Sequence, residues 1–178
     1  MPVDLVFETH STSEDNERGV ATGWLPGKLS ERGRALAAEL GERRRADGFA
    51  AVFTSDLARA AETAQLAFGD SGVPILHDWR LRECDYGDWN GGPAAEVHGE
   101  RSAYLDRPYP GGESWRQAVR RVGGFLGDLS PRWAGSRVLV IGHVATRWAF
   151  DHLVEGRPLE ELAVAGFTWR EGWEYRLP

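Results

Sequence analysis

The run Val138-Leu139-Val140-Ile141-Gly142-His143 decides how the chain folds. Its four apolar residues, mostly β-branched and without a polar alternate position, read as a strand buried on both faces. Such a strand belongs inside a parallel sheet with helices above and below it. The run stops at Gly142-His143 and a helical stretch from about Val144 to Val154 follows, so His143 is predicted to stand at a strand exit.

The same pattern recurs on either side. Val3 to Phe7 reads as a strand leading into His10. Ser30 is a candidate N-cap for a helix to about Ala46, with Gly33, Leu36, Ala37 and Leu40 on its inner face. Ala50 to Thr54 is a further strand, followed by Ser55 or Asp56 as cap and by Leu57, Ala61, Ala64 and Phe68 at helical spacing, which puts Arg59 in a first helical turn. Ser114 to Gln117 has the form of a capping box, opening a helix with Trp115, Val119, Val122, Phe125 and Leu129 as its buried stripe and an end near Leu129, before Pro131. The tail from Val164 to Leu177 reads as two strands around Arg170-Glu171-Gly172. The expected fold is a three-layer α/β/α sandwich with a mostly parallel central sheet, formed as one domain over residues 1–178. Ligands of such sheets bind beyond the carboxyl ends of the strands. His10, Arg59 and His143 each follow a separate strand and are therefore expected to meet at one edge.

Composition narrows the possible functions. A chain of 178 residues can bury about 70% of its unfolded surface without staples. Its 42% hydrophobic and 27% charged residues suit a globular protein, and no apolar run approaches the ~20 residues of a membrane span. Met1-Pro2-Val3-Asp4 lacks the features of a secretory signal, and the single Cys84 reads as a buried thiol with no internal disulfide partner; both lead to the expectation of a cytoplasmic protein. A net charge of −6 argues against nucleic acid as the main partner. Arg43-Arg44-Arg45 reads as a solvated helix terminus. Monomer and homodimer are equally compatible with the sequence, the eight tryptophans leaving room for an apolar interface.

Five segments in order resemble the signatures of the histidine phosphatase superfamily, the phosphoglycerate mutase-like family. Thr9-His10-Ser11-Thr12-Ser13 stands where that family has Arg-His-Gly-Glu-Thr, and Asn16, Gly23, Leu29, Ser30 and Gly33 keep its spacing. Thr54-Ser55-Asp56-Leu57-Ala58-Arg59-Ala60 with Thr63-Ala64 is similar to the second signature, and Leu81-Arg82-Glu83 with Tyr86-Gly87-Asp88-Trp89 to the third. Pro110-Gly111-Gly112-Glu113-Ser114 and Val140-Ile141-Gly142-His143 complete the set. The resemblance implies metal-independent phosphoryl transfer without a cofactor, on a small phosphorylated substrate. It makes His10 the nucleophile and Glu83 the general acid and base, with His143 donating to a phosphoryl oxygen. Arg59, Thr9, Ser11, Asn16 and the backbone opening at Val144 would bind the phosphoryl group.

Thr9 departs from the family, which has arginine there. A lost charge-assisted contact is worth about 1.5–3 kcal/mol. Two compensations are open: another arginine, with Arg18, Arg82 and Arg147 as candidates, or a substrate group of lower charge such as a diester, a phosphoramidate or a non-phosphate. The segment from Asn90 to Pro110, where this fold usually builds its lid, is short, and Tyr104, Arg101, Arg107 and Trp24 are candidates to line the pocket. A metal hydrolase using His10, Asp15, Glu83 and His143 is a weaker reading, because no compact ligand spacing such as His-Glu-x-x-His occurs. A dinucleotide enzyme lacks its glycine fingerprint after the first strand. A degenerate family member that binds a phosphorylated ligand without turnover is the alternative to catalysis.

Overall fold

The computed structural model describes residues 1–178. A five-stranded sheet forms its centre in the order β4-β3-β6-β1-β7, built from β1 (Val3–Thr9), β3 (Ala51–Thr54), β4 (Ile75–His77), β6 (Arg137–Gly142) and β7 (Trp173–Leu177). The first four strands of that order run parallel, and β7 pairs antiparallel with β1 at the edge. A two-stranded ribbon of β2 (Val20–Ala21) and β5 (Gly92–Pro93) lies apart from it.

Two apolar clusters cover the two faces of the sheet. Val6, Val52, Leu139 and Ile141 pack on one face with Leu40 from α2 (Glu31–Arg44) and with Ala64 and Phe68 from α3 (Ala58–Phe68). Val3, Leu5, Phe7, Val138 and Val140 pack on the other face against α5 (Trp115–Arg132), α6 (Val144–Leu153) and α7 (Leu159–Ala165). Alternate residues of one strand thus serve opposite layers. The three-layer arrangement agrees with the expectation, and β6 is central and buried from Val138 to Gly142. Two short helices, α1 (Glu14–Arg18) and α4 (Ala94–Gly99), lie in the segments after β1 and β5. No helix is long and apolar enough to cross a membrane.

Four local expectations are corrected. The tail from Val164 forms one strand, β7, rather than two: Val164 and Ala165 end α7, whose Leu159, Leu162 and Ala163 find the core, and residues 166–172 connect it to β7 without regular structure. α5 passes its expected end at Leu129 and runs to Arg132 with Pro131 inside it. The proline ring is on the exposed side and the Trp133 N–H still reaches the Leu129 carbonyl at 3.0 Å, so the ladder resumes past the missing donor. α3 starts with Leu57 at its N-cap and no side-chain cap; Ser55 and Asp56 are engaged elsewhere, on His143 and Arg82. Arg43 and Arg44 do not end in solvent. Both bind the Glu8 carboxylate, 2% exposed, which points from β1 toward α2.

Gly33 shows why α2 approaches the loop after β1. A Cβ at that position would lie 1.8 Å from the Thr12 carbonyl oxygen, so only glycine allows the helix to press against the segment that carries His10.

Candidate active site

β1 and β6 end flush, with Thr9 opposite Gly142, and the chain leaves them on opposite faces of the sheet. That crevice is where an α/β sheet accepts ligands. The His10 N–H donates to the Gly142 carbonyl at 2.9 Å, and the His10 and His143 rings stand 5.0 Å apart. Both line a cavity of about 760 Å³, together with Arg59, Glu83 and Arg101.

His10 is held as a neutral base. Its Nδ1 lies 2.7 Å from the Ser11 carbonyl oxygen, which can only accept, so the ring proton sits on Nδ1 and the Nε2 lone pair is free. Burial, then the nearby Arg59 charge, lower its pKa to about 3. His143 Nε2 lies 2.7 Å from Ser55 Oγ. His143 is also the N-cap residue of α6 and its Nδ1 is enclosed, so the ring is held from both sides. Burial and then the charges of Arg59 and His10 keep the pKa of His143 well below that of a free histidine. The site therefore sets the unprotonated Nε2 of His10 beside the buried ring of His143.

Arg59 enters from the first turn of α3 and is 3% exposed. Its guanidinium donates to the carbonyls of Gly23 at 2.8 Å and Leu25 at 3.3 Å. Burial lowers its pKa and Glu83 raises it. One turn along the helix, the Thr63 hydroxyl donates to the Arg59 carbonyl at 2.7 Å and accepts the Ser11 N–H at 3.0 Å. That hydroxyl ties the arginine's helix to the histidine's loop.

Glu83 closes another side and is 8% exposed. One carboxylate oxygen, Oε1, accepts from the N–H groups of Cys84 at 2.8 Å and Ala145 at 3.1 Å, leaving Oε2 free for the cavity. Its backbone carbonyl accepts from Trp24 Nε1 and from Arg121, each at 2.7 Å. Arg121 also donates to the Arg80 and Arg82 carbonyls and pairs with Glu113. One guanidinium thus clamps the segment that presents the acid.

The family model described as histidine phosphatase superfamily (branch 1) matches residues 5–167. The chain belongs to this superfamily. It is 38% identical to a 2,3-bisphosphoglycerate-dependent phosphoglycerate mutase of Methylobacterium radiotolerans, over 94% of this chain and 85% of that protein. Among solved structures, Bacillus stearothermophilus YhfR matches with a TM-score of 0.81 at 26% identity, over 95% of this chain and 88% of the other. A mycobacterial glucosyl-3-phosphoglycerate phosphatase, Rv2419c, matches with a TM-score of 0.80 at 25% identity, over 93% and 85%. The chain is accordingly an enzyme of the histidine phosphatase superfamily, with Thr-His-Ser where the superfamily pattern has Arg-His-Gly.

The remaining sequence candidates are distributed unevenly around that departure. Thr9, Ser11, Asn16 and Val144 all line the cavity. The Ser11 hydroxyl, however, donates to the Gly33 carbonyl at 2.6 Å and belongs to the scaffold. Asn16 Oδ1 accepts the Ser13 N–H in the capping box of α1, which leaves its amide N–H groups for a ligand. Val144 opens α6, where the first N–H groups have no acceptor within the helix.

None of the three arginines expected to stand in for the one missing at Thr9 lines the cavity: Arg18 pairs with Asp15, Arg82 with Asp56, and Arg147 with Asp151. Of the four lid candidates only Arg101 lines it. Tyr104 stacks on Tyr109 with centroids 4.1 Å apart, Arg107 lies over Tyr104, and Trp24 supports Glu83 from behind. Ser55, Thr63 and Arg121 are the site's supports that sequence reasoning missed. Ser55 and Thr63 lie within the second signature, whereas Arg121 carries no local signal on α5.

Proposed function

We propose that this enzyme is a metal-independent phosphatase of small phosphorylated metabolites, working through a phosphohistidine at His10. The observation that carries the reading is the fixed tautomer of His10, which leaves an unprotonated Nε2 at the cavity beside Arg59 and His143. In the first step the Nε2 lone pair forms a bond to phosphorus and the bond from phosphorus to the ester oxygen breaks. Glu83, entering protonated, gives its proton from Oε2 to that oxygen, so the alcohol leaves neutral. In the second step a water loses a proton to the Glu83 carboxylate and attacks phosphorus, and the bond to Nε2 returns to the ring as its lone pair. Arg59, His143, the Asn16 amide and the Val144 N–H hold the phosphoryl oxygens, whose charge changes most in the transition states.

The relatives include a protein named as a mutase and one named as a phosphatase. A cavity of about 760 Å³ under a short lid segment favours entry of water and hence hydrolysis. The test is phosphate release from a panel of phosphomonoesters, diesters and phosphoramidates by the wild type and by His10→Ala. Loss of release by ~10³-fold or more in the variant, with its melting temperature within a few degrees of wild type, is expected. Equal release from both proteins refutes the nucleophile, and no release from either refutes the phosphatase reading for that panel.

A further inference from the structure

The cavity extends from the histidines in two directions. In one it passes Glu83 to Tyr86 and Arg101; in the other it passes Thr9 into a groove between α2 and residues 166–172. The edge of β1 explains that groove. The N–H groups of Asp4 and His10 donate to the Ser136 and Gly142 carbonyls, on the β6 side, so the peptide groups of odd-numbered residues face β7. β7 begins at Trp173 opposite Phe7, which leaves the N–H and carbonyl of Thr9 facing a gap where a further β7 residue would pair.

The walls of the groove are apolar and partly aromatic. Leu36 and Leu40 of α2 form one side, Phe167 and Trp169 the other. Phe167 is anchored on Trp173, with ring centres 5.8 Å apart, whereas Trp169 stands 59% exposed at the rim. A large ring left in solvent beside such a groove is surface for a flat apolar group to cover. The charge at the phosphoryl end is also small. Arg59 is the cation whose field reaches both histidines, and burial keeps both rings neutral. Arg101 acts on Tyr86 and Tyr109 instead, and Arg18, Arg82 and Arg147 are paired elsewhere. A phosphomonoester carries nearly two negative charges at neutral pH and a phosphodiester one. One guanidinium matches the diester.

We propose that the substrate is a phosphodiester whose retained ester group, flat and apolar, lies in the groove past Thr9 between Leu36 and Trp169, while the departing alcohol lies on the Glu83 side. This rests on the reading of His10 as nucleophile and Glu83 as acid, which fixes the bond that breaks. His10 Nε2 bonds to phosphorus, the ester bond toward Glu83 breaks, and Glu83 protonates the departing oxygen. Water then gives a proton to Glu83 and attacks phosphorus, the bond to Nε2 returns to the ring as its lone pair, and a phosphomonoester leaves. The departure at position 9 and the groove beside it are then one feature: threonine keeps open a passage that a longer, charged side chain would enter.

The test uses two probes that differ in one ester group, phenyl phosphate and diphenyl phosphate. Binding is measured by calorimetry on His10→Ala protein at about pH 8, where no turnover intervenes and the probes carry two charges and one. Diphenyl phosphate is expected to bind about tenfold more tightly or better, despite its lower charge. Adding Trp169→Ala should weaken diphenyl phosphate at least about fivefold more than phenyl phosphate, and adding Thr9→Arg should reverse the order of the two probes. Phenyl phosphate binding as tightly as the diester, or a Trp169 variant that changes both probes equally or neither, overturns the proposal, as does an unchanged order in the Thr9 variant. If Thr9→Arg does not fold, the variant of the exposed Trp169 decides. Wild-type protein that releases phenol from neither probe would refute the phosphohistidine reading alone, because the binding preference does not depend on turnover. Release from phenyl phosphate without a binding preference would leave that reading standing and remove this one.

Discussion

The floor of the site and its acid wall are held by different means. The two histidines stand at the ends of neighbouring parallel strands, so the backbone ladder of β1 and β6 places them. Glu83 belongs to no strand or α-helix, and its position depends on Trp24, Arg121 and the Ala145 N–H, brought from distant parts of the chain. A ladder distributes its hold over many bonds, whereas a side-chain clamp concentrates it in a few. The floor should therefore tolerate loss of a single support, and the wall should not.

The largest effect should come from the wall itself. Glu83→Gln removes the carboxyl proposed to carry the proton, and turnover of alkyl phosphates is expected to fall by ~10²–10⁴-fold. The loss should be smaller for p-nitrophenyl phosphate, whose leaving group needs no proton, and an equal loss for both esters would show that Glu83 does not act on the leaving oxygen. Arg121→Met comes next. It strands the Arg80 and Arg82 carbonyls, leaves the Glu113 carboxylate without its cation and the Glu83 carbonyl with Trp24 alone, and unfolding in urea should show a loss of ~3–5 kcal/mol, with turnover falling more than substrate affinity. A stable variant with normal turnover would remove the contrast between clamp and ladder.

Ser55→Ala tests the floor. It removes a hydrogen bond from the His143 ring but leaves the strand pairing, so the expected loss is about tenfold in turnover and ~1–2 kcal/mol in stability by thermal melting. A loss as large as that of the Arg121 variant would mean that side chains govern the floor as well.

At neutral pH the smallest effect is expected from His10, whose contribution appears as a pH slope. His10 has a pKa of about 3 when folded against 6.5 when free, so below pH 6.5 the unfolded chain takes up a proton that the folded one refuses. Stability from this group is complete above that pH and declines as pH falls toward about 3. His10→Gln should accordingly flatten the acid limb of the urea midpoint plotted against pH, and an unchanged limb would place the titration elsewhere.

How much of this was legible follows the same division. Val138 to Ile141 announced a buried parallel strand because its burial on both faces is written in local composition, and His10, Arg59 and His143 converge because strand exits in one sheet share an edge. The clamp by Arg121 was not legible, since Arg80, Arg82 and Glu83 lie some forty residues before it and share no period with α5. Glu8 was hidden for a related reason: a carboxylate in a strand reads as solvent-facing until α2 delivers Arg43 and Arg44 to it. Arg101 was read as one of several lid residues, because its packing between Trp115 and Trp148 has no sequence pattern.

The flush ending of β1 and β6 also sets a measure. Neighbouring strands of any sheet lie ~4.8 Å apart, so side chains that leave two parallel strands at matched positions start about that far from each other. The rings of His10 and His143 keep nearly this separation, 5.0 Å between centres. The gauge of the site is thus inherited from the hydrogen bond between peptide groups, a length that no mutation alters. Divergence in the surrounding loops can reshape the cavity while the distance between the two rings stays constant.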